Sequence, residues 1–301
     1  MSTSAGASIV VGVDGSSRSL IAVEVAAAEA ALRHRPLRIV HAFTWPPAST
    51  TPGLAGSGPQ AYREQAQRYL AEANRMAGKC AADVTSTQEL IPGSAVPVLL
   101  DASRDAALLV LGDRGLSGLT ELFIGSVAGH AVTHACCPVV IVRGDPRHDG
   151  PVVAGVDGSV TSALALGFAA QEAALRGVDL VAVHAWSGND GTELNADLPM
   201  TYEFWSGEEE EQRVLAEAVA GIAERYPDLR VRRQSRRGSA RRMLTGWSRV
   251  AQLVVVGDRG HGGFAGLRLG SVSQHLIHHA GCPVAVVRRE PGDVGSAPEL
   301  S

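Results

Sequence analysis

One pattern of residues occurs twice in this chain, and the distance between its copies decides the architecture. Gly112-Asp113-Arg114-Gly115, nine residues, then Gly125-Ser126 returns as Gly257-Asp258-Arg259-Gly260, nine residues, then Gly270-Ser271, an offset of 145 positions from Gly112 to Gly257. The match extends beyond the glycines. Ile9 to Ser16 corresponds to Val152 to Ser159, and Val40-His41-Ala42 to Val183-His184-Ala185, both at 143 positions. Cys137-Pro138-Val139 corresponds to Cys282-Pro283-Val284 at 145. A period of this size is too long for a solenoid unit and suits a whole domain. Two homologous domains are therefore expected, at residues 1–144 and 150–290, with the Gly-, Pro-, Asp- and Arg-rich stretch Arg143 to Pro151 as linker.

Within each copy the pattern alternates between strand and helix. Ile9 to Val13 is an apolar, β-branched run without polar alternation, which is how a strand buried on both faces reads. An Ala-rich segment to about Arg33 follows, with Ser16 or Ser17 to cap it. Strands are expected at Leu37 to Phe43, Val84 to Leu90, Ala107 to Leu111 and Val139 to Val142. Helices are expected at Ala61 to Ala81, at Ser94 to Ser103 with Ser94 as cap, and at Ser126 to His134. The second half repeats the strands as Val152 to Val156, Leu180 to Ala185, Leu229 to Arg233, Leu253 to Val256 and Val284 to Val287. Such alternation predicts an α/β fold with a doubly wound parallel sheet in each half, covered by helices on both faces. Thr44 to Pro59, dense in Pro, Gly, Ser and Thr, reads as a long loop.

The 301 residues fit two domains at roughly 150 residues each, enough for a core in each without disulfide or metal staples. With 45% apolar and 19% charged residues and a net charge of -4, nothing in the composition attracts nucleic acid or an anionic membrane. Cys80, Cys136, Cys137 and Cys282 lack metal-site spacing and point to a reducing compartment. The first eight residues carry no signal-peptide pattern and no apolar run approaches a membrane span, so a cytoplasmic protein is expected.

The repeated residues suit phosphate binding. In an open parallel sheet ligands sit beyond the carboxyl ends of the strands, where the winding reverses. The first and fourth strands end in Gly12-Val13-Asp14-Gly15 and in Gly112 to Gly118, so both loops would face one crevice. Glycines at 112, 115 and 118 allow positive φ or close approach, letting backbone N–H groups converge on an anion. Gly125-Ser126-Val127 then opens a helix whose unpaired N–H groups favour a phosphate. Asp14 could accept from ribose hydroxyls or help hold Mg²⁺; equally, Asp-Gly-Ser chemistry could make it part of a helix cap. Its recurrence as Asp157 favours ligand contact. Arg114 and Arg259 are candidates to neutralise phosphate, against the ordinary alternative of solvated loop arginines.

In these residues the chain resembles tandem-domain members of the universal stress protein family, in its ATP-binding, actinobacterial branch. The family's G-x-x-G, nine residues, G-[ST] pattern is met in both halves, as are the strand-end aspartate, the V-H-A and the C-P-V. The resemblance implies sheets ordered 3-2-1-4-5, ATP with Mg²⁺ in two pockets, dimer-like packing of the two domains, and a regulatory role in stress or dormancy through a protein partner. It also leaves homodimerisation open. Carried over residue by residue, it implies a first site of Gly12, Asp14, Val40, Ala42, Gly112, Asp113, Arg114, Gly115, Leu116, Ser117, Gly118, Gly125, Ser126 and Val127. The second comprises Gly155, Asp157, Val183, Ala185, Gly257, Asp258, Arg259, Gly260, His261, Gly262, Gly263, Gly270, Ser271 and Val272.

Other chemistries fit less well. A P-loop needs G-x-x-x-x-G-K-[ST] after a strand, and Gly78-Lys79 precedes Cys80 inside a helix. Gly260-His261-Gly262 mimics a dinucleotide fingerprint but follows the fourth strand. The pairs His130 with His134 and His275 with His279 share a helix face without a third ligand, and a histidine near a helix C-terminus is explained by the dipole. Arg230, Arg232, Arg233, Arg236, Arg237, Arg241 and Arg242 form a basic stretch read as a solvated edge or partner surface. Glu208 to Glu211 is read as the start of a helix. Nothing specifies the positioned water and base that ATP hydrolysis needs, so a binding protein is expected. The alternatives are a nucleotide-independent scaffold or chaperone-like protein with vestigial pockets, and an ATP-consuming hydrolase or ligase of similar fold.

Overall fold

The computed structural model of the chain describes residues 7–44, 59–116, 124–186, 203–260 and 269–289. It divides into two compact units, the first comprising the residues up to Val142 together with those from Arg289 onward, and the second running Arg143–Arg288.

In the first unit β1 (Ser8–Gly12), β2 (Leu37–Phe43), β3 (Ser86–Pro92), β4 (Ala106–Gly112) and β5 (Val139–Val142) form a parallel sheet in the order β3-β2-β1-β4-β5. The helices are α1 (Ser17–Leu32), α2 (Pro59–Cys80), α3 (Ala95–Ala102) and α4 (Ser126–His134). The second unit repeats this with β6 (Val152–Val156), β7 (Leu180–Trp186), β8 (Val231–Arg237), β9 (Leu253–Gly257) and β10 (Val284–Val287), ordered β8-β7-β6-β9-β10. Its helices are α5 (Val160–Arg176), α6 (Glu203–Arg225), α7 (Ala240–Trp247) and α8 (Ser271–His279). The expected order 3-2-1-4-5 is thus found in both units.

The central strands are buried residue after residue: Ile9, Val10 and Val11 in β1, and Leu108, Leu109 and Val110 in β4. That requires cover on both faces. On α1 the covering face is Ala22, Ala26, Ala27 and Ala30, all buried, and α5 repeats it with Ala165, Ala169, Ala170 and Ala173. Side chains this small let each helix axis lie close to the sheet, so the helix N-termini reach the strand exits. Ser16 caps α1 by accepting from Ser19 N at 3.1 Å, and Ser159 caps α5 by accepting from Ser162 N at 3.2 Å. Ser94 occupies the cap position of α3 without a side-chain bond.

Several expectations shift. Pro59 is the first residue of α2 and not the last of a loop, consistent with proline's tolerance in a first helical turn; residues 45–58 of the expected loop lie outside the described residues. The acidic run sits in the second turn of α6, which begins at Glu203. The segment read as a linker belongs to the second unit, where Gln252 Nε2 donates to Gly150 O at 2.8 Å. Of the basic stretch, Arg232, Arg233, Arg236 and Arg237 fall on β8, the outer strand of its sheet, with Arg232 paired to Asp179 at 2.6 Å, and Arg241 and Arg242 fall on α7. Among the described residues no helix is long and apolar enough to cross a membrane.

All four cysteines are free. Burial pushes the Cys137 and Cys282 thiols up to about 12, whereas Cys80 is exposed and Cys136 half-buried. Because the thiolate is the reactive form, a disulfide reagent at about pH 8 should modify Cys80 and Cys136 in the native protein and reach Cys137 and Cys282 only in denaturant. Four native thiols titrating together would contradict this burial.

Candidate functional site

Each unit places its strand-exit loops at the switch point of the sheet. In the first, β1 lies between β2 and β4, so the residues after Gly12 and after Gly112 emerge side by side. Asp14 stands between them. Its Oδ1 accepts from Ser16 N at 3.0 Å and from Ser16 Oγ at 2.6 Å, and its Oδ2 accepts from Leu116 N at 2.9 Å. One carboxylate therefore ties the start of α1 to the glycine loop beyond β4. Asp157 repeats the first part, with Oδ1 accepting from Ser159 N at 3.0 Å and Ser159 Oγ at 2.6 Å. Both readings of Asp14 thus retain a basis: the aspartate organises the cap through Ser16, and it faces the crevice.

The motif glycines work differently from the expectation of positive φ. Gly112, Gly115, Gly257 and Gly260 are not among the glycines in the left-handed region; Gly15 at φ 85° and Gly158 at φ 79° are, in the Asp-Gly-Ser turns. What Gly115 and Gly260 supply is space. A Cβ on Gly115 would stand 2.3 Å from Asp14 Oδ2, and one on Gly260 would stand 2.0 Å from Asp157 Oδ2. The two loops approach within the width of a methyl group, and glycine alone leaves the carboxylate in place.

The nine-residue span closes on its own origin. Gly125 N donates to Asp113 O at 2.8 Å and Gly270 N to Asp258 O at 2.7 Å. Those amides are spent on the loop, and the amides open to an anion are those of Ser126 and Val127, and of Ser271 and Val272, in first helical turns where no intrahelical acceptor exists.

A cavity of about 490 Å³ occupies the crevice of the second unit. Of the residues expected there, Gly155 and Asp157 line it from the β6 exit, Val183 and Ala185 from β7, and Gly257, Arg259 and Gly260 from the β9 exit. Gly270, Ser271 and Val272 close it at the start of α8. The corresponding residues of the first unit hold matching places: Gly12 ends β1, Val40 and Ala42 lie within β2, Gly112 ends β4, and Gly125, Ser126 and Val127 begin α4. Asp258 is not among the residues that line the cavity, and Asp113 is its counterpart in the first unit. Both are buried, Asp113 against Arg18 Nε and Arg114 Nε at 3.5 Å each, Asp258 against Arg288 Nε at 3.5 Å and Arg259 Nε at 3.7 Å. They hold the loop from beneath. Ser117, Gly118, His261, Gly262 and Gly263 lie outside the described residues.

Sequence reasoning missed Ala240 and Leu244, which wall the cavity from α7; the apolar position of a short helix packed on a strand exit was the available signal. It also passed over the histidine of each V-H-A. The imidazole Nδ1 of His41 lies 2.7 Å from Val13 O and that of His184 lies 2.7 Å from Val156 O, so each ring donates to the carbonyl preceding the site aspartate. Among the described residues no group of three or more His, Cys, Asp or Glu side chains could hold a metal; the rings of His130 and His134 stack with centroids 6.1 Å apart, and those of His275 and His279 meet at a tilt of 38° with centroids 4.5 Å apart.

Two consecutive doubly wound α/β units, each with a glycine-lined crevice at its switch point, define a tandem-repeat protein built on one duplicated domain. The model of the universal stress protein family matches residues 7–143 and again 150–288. A universal stress protein of Mycobacterium tuberculosis is 39% identical over 294 residues, covering 93% of this chain and 96% of that protein. One of Mycolicibacterium smegmatis is 38% identical over 293 residues, covering 93% and 96%. The crystal structure of a universal stress protein from Archaeoglobus fulgidus shares the fold, with a TM-score of 0.68 at 20% identity over 94% of this chain and 98% of that one. The chain belongs to the universal stress protein family, with two domains in tandem.

Proposed function

We propose that each unit binds one ATP and that the protein is a cytoplasmic regulator of stress, dormancy or growth rather than a catalyst. The observation that carries this reading is the duplicated approach of Gly115 to Asp14 and of Gly260 to Asp157, which sets two glycine loops against a helix N-terminus in both halves. In the second crevice the triphosphate would lie against the amides of Ser271 and Val272, with Asp157 toward the ribose and the backbone of Val183 and Ala185 toward the adenine. The first crevice would use Ser126, Val127, Asp14, Val40 and Ala42 in the same roles. A volume of about 490 Å³ falls within the range of small-molecule sites. Mg²⁺ would be held mainly by the phosphates and water, with one carboxylate from Asp14 or Asp157, since no larger acidic set converges there among the described residues. It would neutralise phosphate charge.

Mass spectrometry of nucleotide released on denaturation, with calorimetric titration of the stripped protein, tests the proposal. Two adenine nucleotides per chain are expected, without steady release of phosphate. A protein that binds none at millimolar ATP would instead be an interaction scaffold.

A further inference from the structure

The two units share one histidine contact and differ in the next. His41 and His184 both donate Nδ1–H to the carbonyl before the site aspartate. Beyond that bond the His41 ring meets the edge of Tyr69 of α2, with centroids 5.8 Å apart. The His184 ring instead places Nε2 2.6 Å from Glu211 Oε2 of α6. At the position of Glu211 the first unit has Ala66, which is buried.

This geometry fixes a proton count. Val156 O only accepts, so Nδ1 carries a hydrogen. A carboxylate oxygen also only accepts, and 2.6 Å between it and an imidazole lone pair would set two acceptors against each other. A hydrogen must therefore lie between Nε2 and Oε2. The side chain of Glu211 is 32% exposed and that of His184 only 6%, so water supports the carboxylate charge while the ring is enclosed. We propose that His184 and Glu211 form an imidazolium–carboxylate clamp that positions the Val156-Asp157 turn of the second unit. Loss of its proton loosens that turn, giving the second nucleotide site a pH dependence the first lacks. The affinity part rests on the nucleotide reading above; the proton count does not.

Among the described residues the remaining charges around the pair are committed elsewhere or solvated. On α6, Arg213 draws in the exposed Glu210 and Glu217. On β8 the register partner of His184 is Ser235, followed by the exposed Arg236 and Arg237. At the β6 exit Asp157 is held by Ser159, and on α5 Glu172 is paired with Arg176. Glu211 is thus the carboxylate at hand for the ring.

The test uses the full chain with ¹⁵N-labelled histidine, His184 being identified by the signal that disappears in His184→Gln. At about pH 7 both ring nitrogens of His184 are expected to bear protons. In Glu211→Gln the amide donates to Nε2, so the ring is expected to be neutral with hydrogen on Nδ1 alone. A native ring with a bare Nε2 overturns the clamp. Separately, Gly115→Ala silences the first site and leaves ATP affinity at the second to be measured between about pH 6 and pH 9. The native pair should lose about tenfold in affinity as pH rises, the scale of one buried hydrogen bond, whereas Glu211→Gln should change only as ATP itself titrates. Parallel profiles for the two proteins overturn the coupling. Absence of ATP binding in every protein would strike the nucleotide reading, while the histidine spectra still decide the clamp.

Discussion

Replacing Gly260 with alanine is expected to abolish the second nucleotide site, weakening ATP binding there by roughly a hundredfold, or about 3 kcal/mol. The added Cβ would stand 2.0 Å from Asp157 Oδ2, well inside van der Waals contact. The carboxylate can escape only by leaving the turn in which it accepts from Ser159 N and Ser159 Oγ, or else the two loops must part. Either route widens the crevice between the β6 and β9 exits and displaces the groups facing the ligand. Folding stability should fall by about 1–3 kcal/mol, the usual range for overpacking. The cause can be isolated. In Gly260→Ala combined with Asp157→Ala the clash is gone, so most of the stability lost to the first change should return while binding does not. A double-mutant cycle on thermal unfolding should then show a coupling of about 1–2 kcal/mol. Simple additivity of the two changes would mean that the methyl group strikes something other than the carboxylate. Gly115→Ala should act alike on the first site, with a further penalty because Asp14 Oδ2 also accepts from Leu116 N.

The same contact shows where sequence reasoning reached and where it stopped. The repeated spacing located both loops, because glycine at fixed intervals after a buried strand is a demand of geometry that any copy of the fold must meet. It could not say which demand. Positive φ and close approach both select glycine, and only coordinates assign the first to Gly15 and Gly158 and the second to Gly115 and Gly260. Strands β2, β5, β6 and β10 were legible to the residue, since each is a short, mostly apolar run that directly follows a proline. The outer strands β3 and β8 begin two residues later than their patterns suggest, because half-exposed strands such as β8, with its run of arginines, carry a weak burial signal. Glu211 was invisible as a site residue for another reason: within an acidic run nothing marks the one member that α6 turns toward β7. Asp113 and Asp258 entered the expected sites through the family resemblance, and their burial against arginines is visible only in the structure.

A second large effect is expected in the core and not at the site. Leu109 lies in the middle of β4, fully buried, in hydrogen-bonded register with Val10 of β1 and Val139 of β5. Truncation to alanine removes three carbon atoms from a fully buried layer, where neighbours held in strands and helices cannot move in to fill the space, and the cavity should persist. The expected loss is about 3–4 kcal/mol, near the upper half of the Leu→Ala range, or roughly 6–15 °C in the melting temperature of a unit this size. Val250→Ala, at a position 53% exposed, should stay within about 0.5 kcal/mol. Because Leu109 lies inside β4, before the strand exit at Gly112, the weakened protein should still bind ATP, and the ligand should restore stability by mass action: about 2.7 kcal/mol at a hundred times Kd. That recovery separates two kinds of damage. In the unfolding of the first unit, Leu109→Ala should be rescued by ATP in proportion to the logarithm of its concentration, whereas Gly115→Ala, which spoils that unit's site, should gain nothing there and be stabilised only in the second unit. If ATP rescued both variants equally, the nucleotide would be acting away from the first crevice, and the assignment of Gly115 to it would fall.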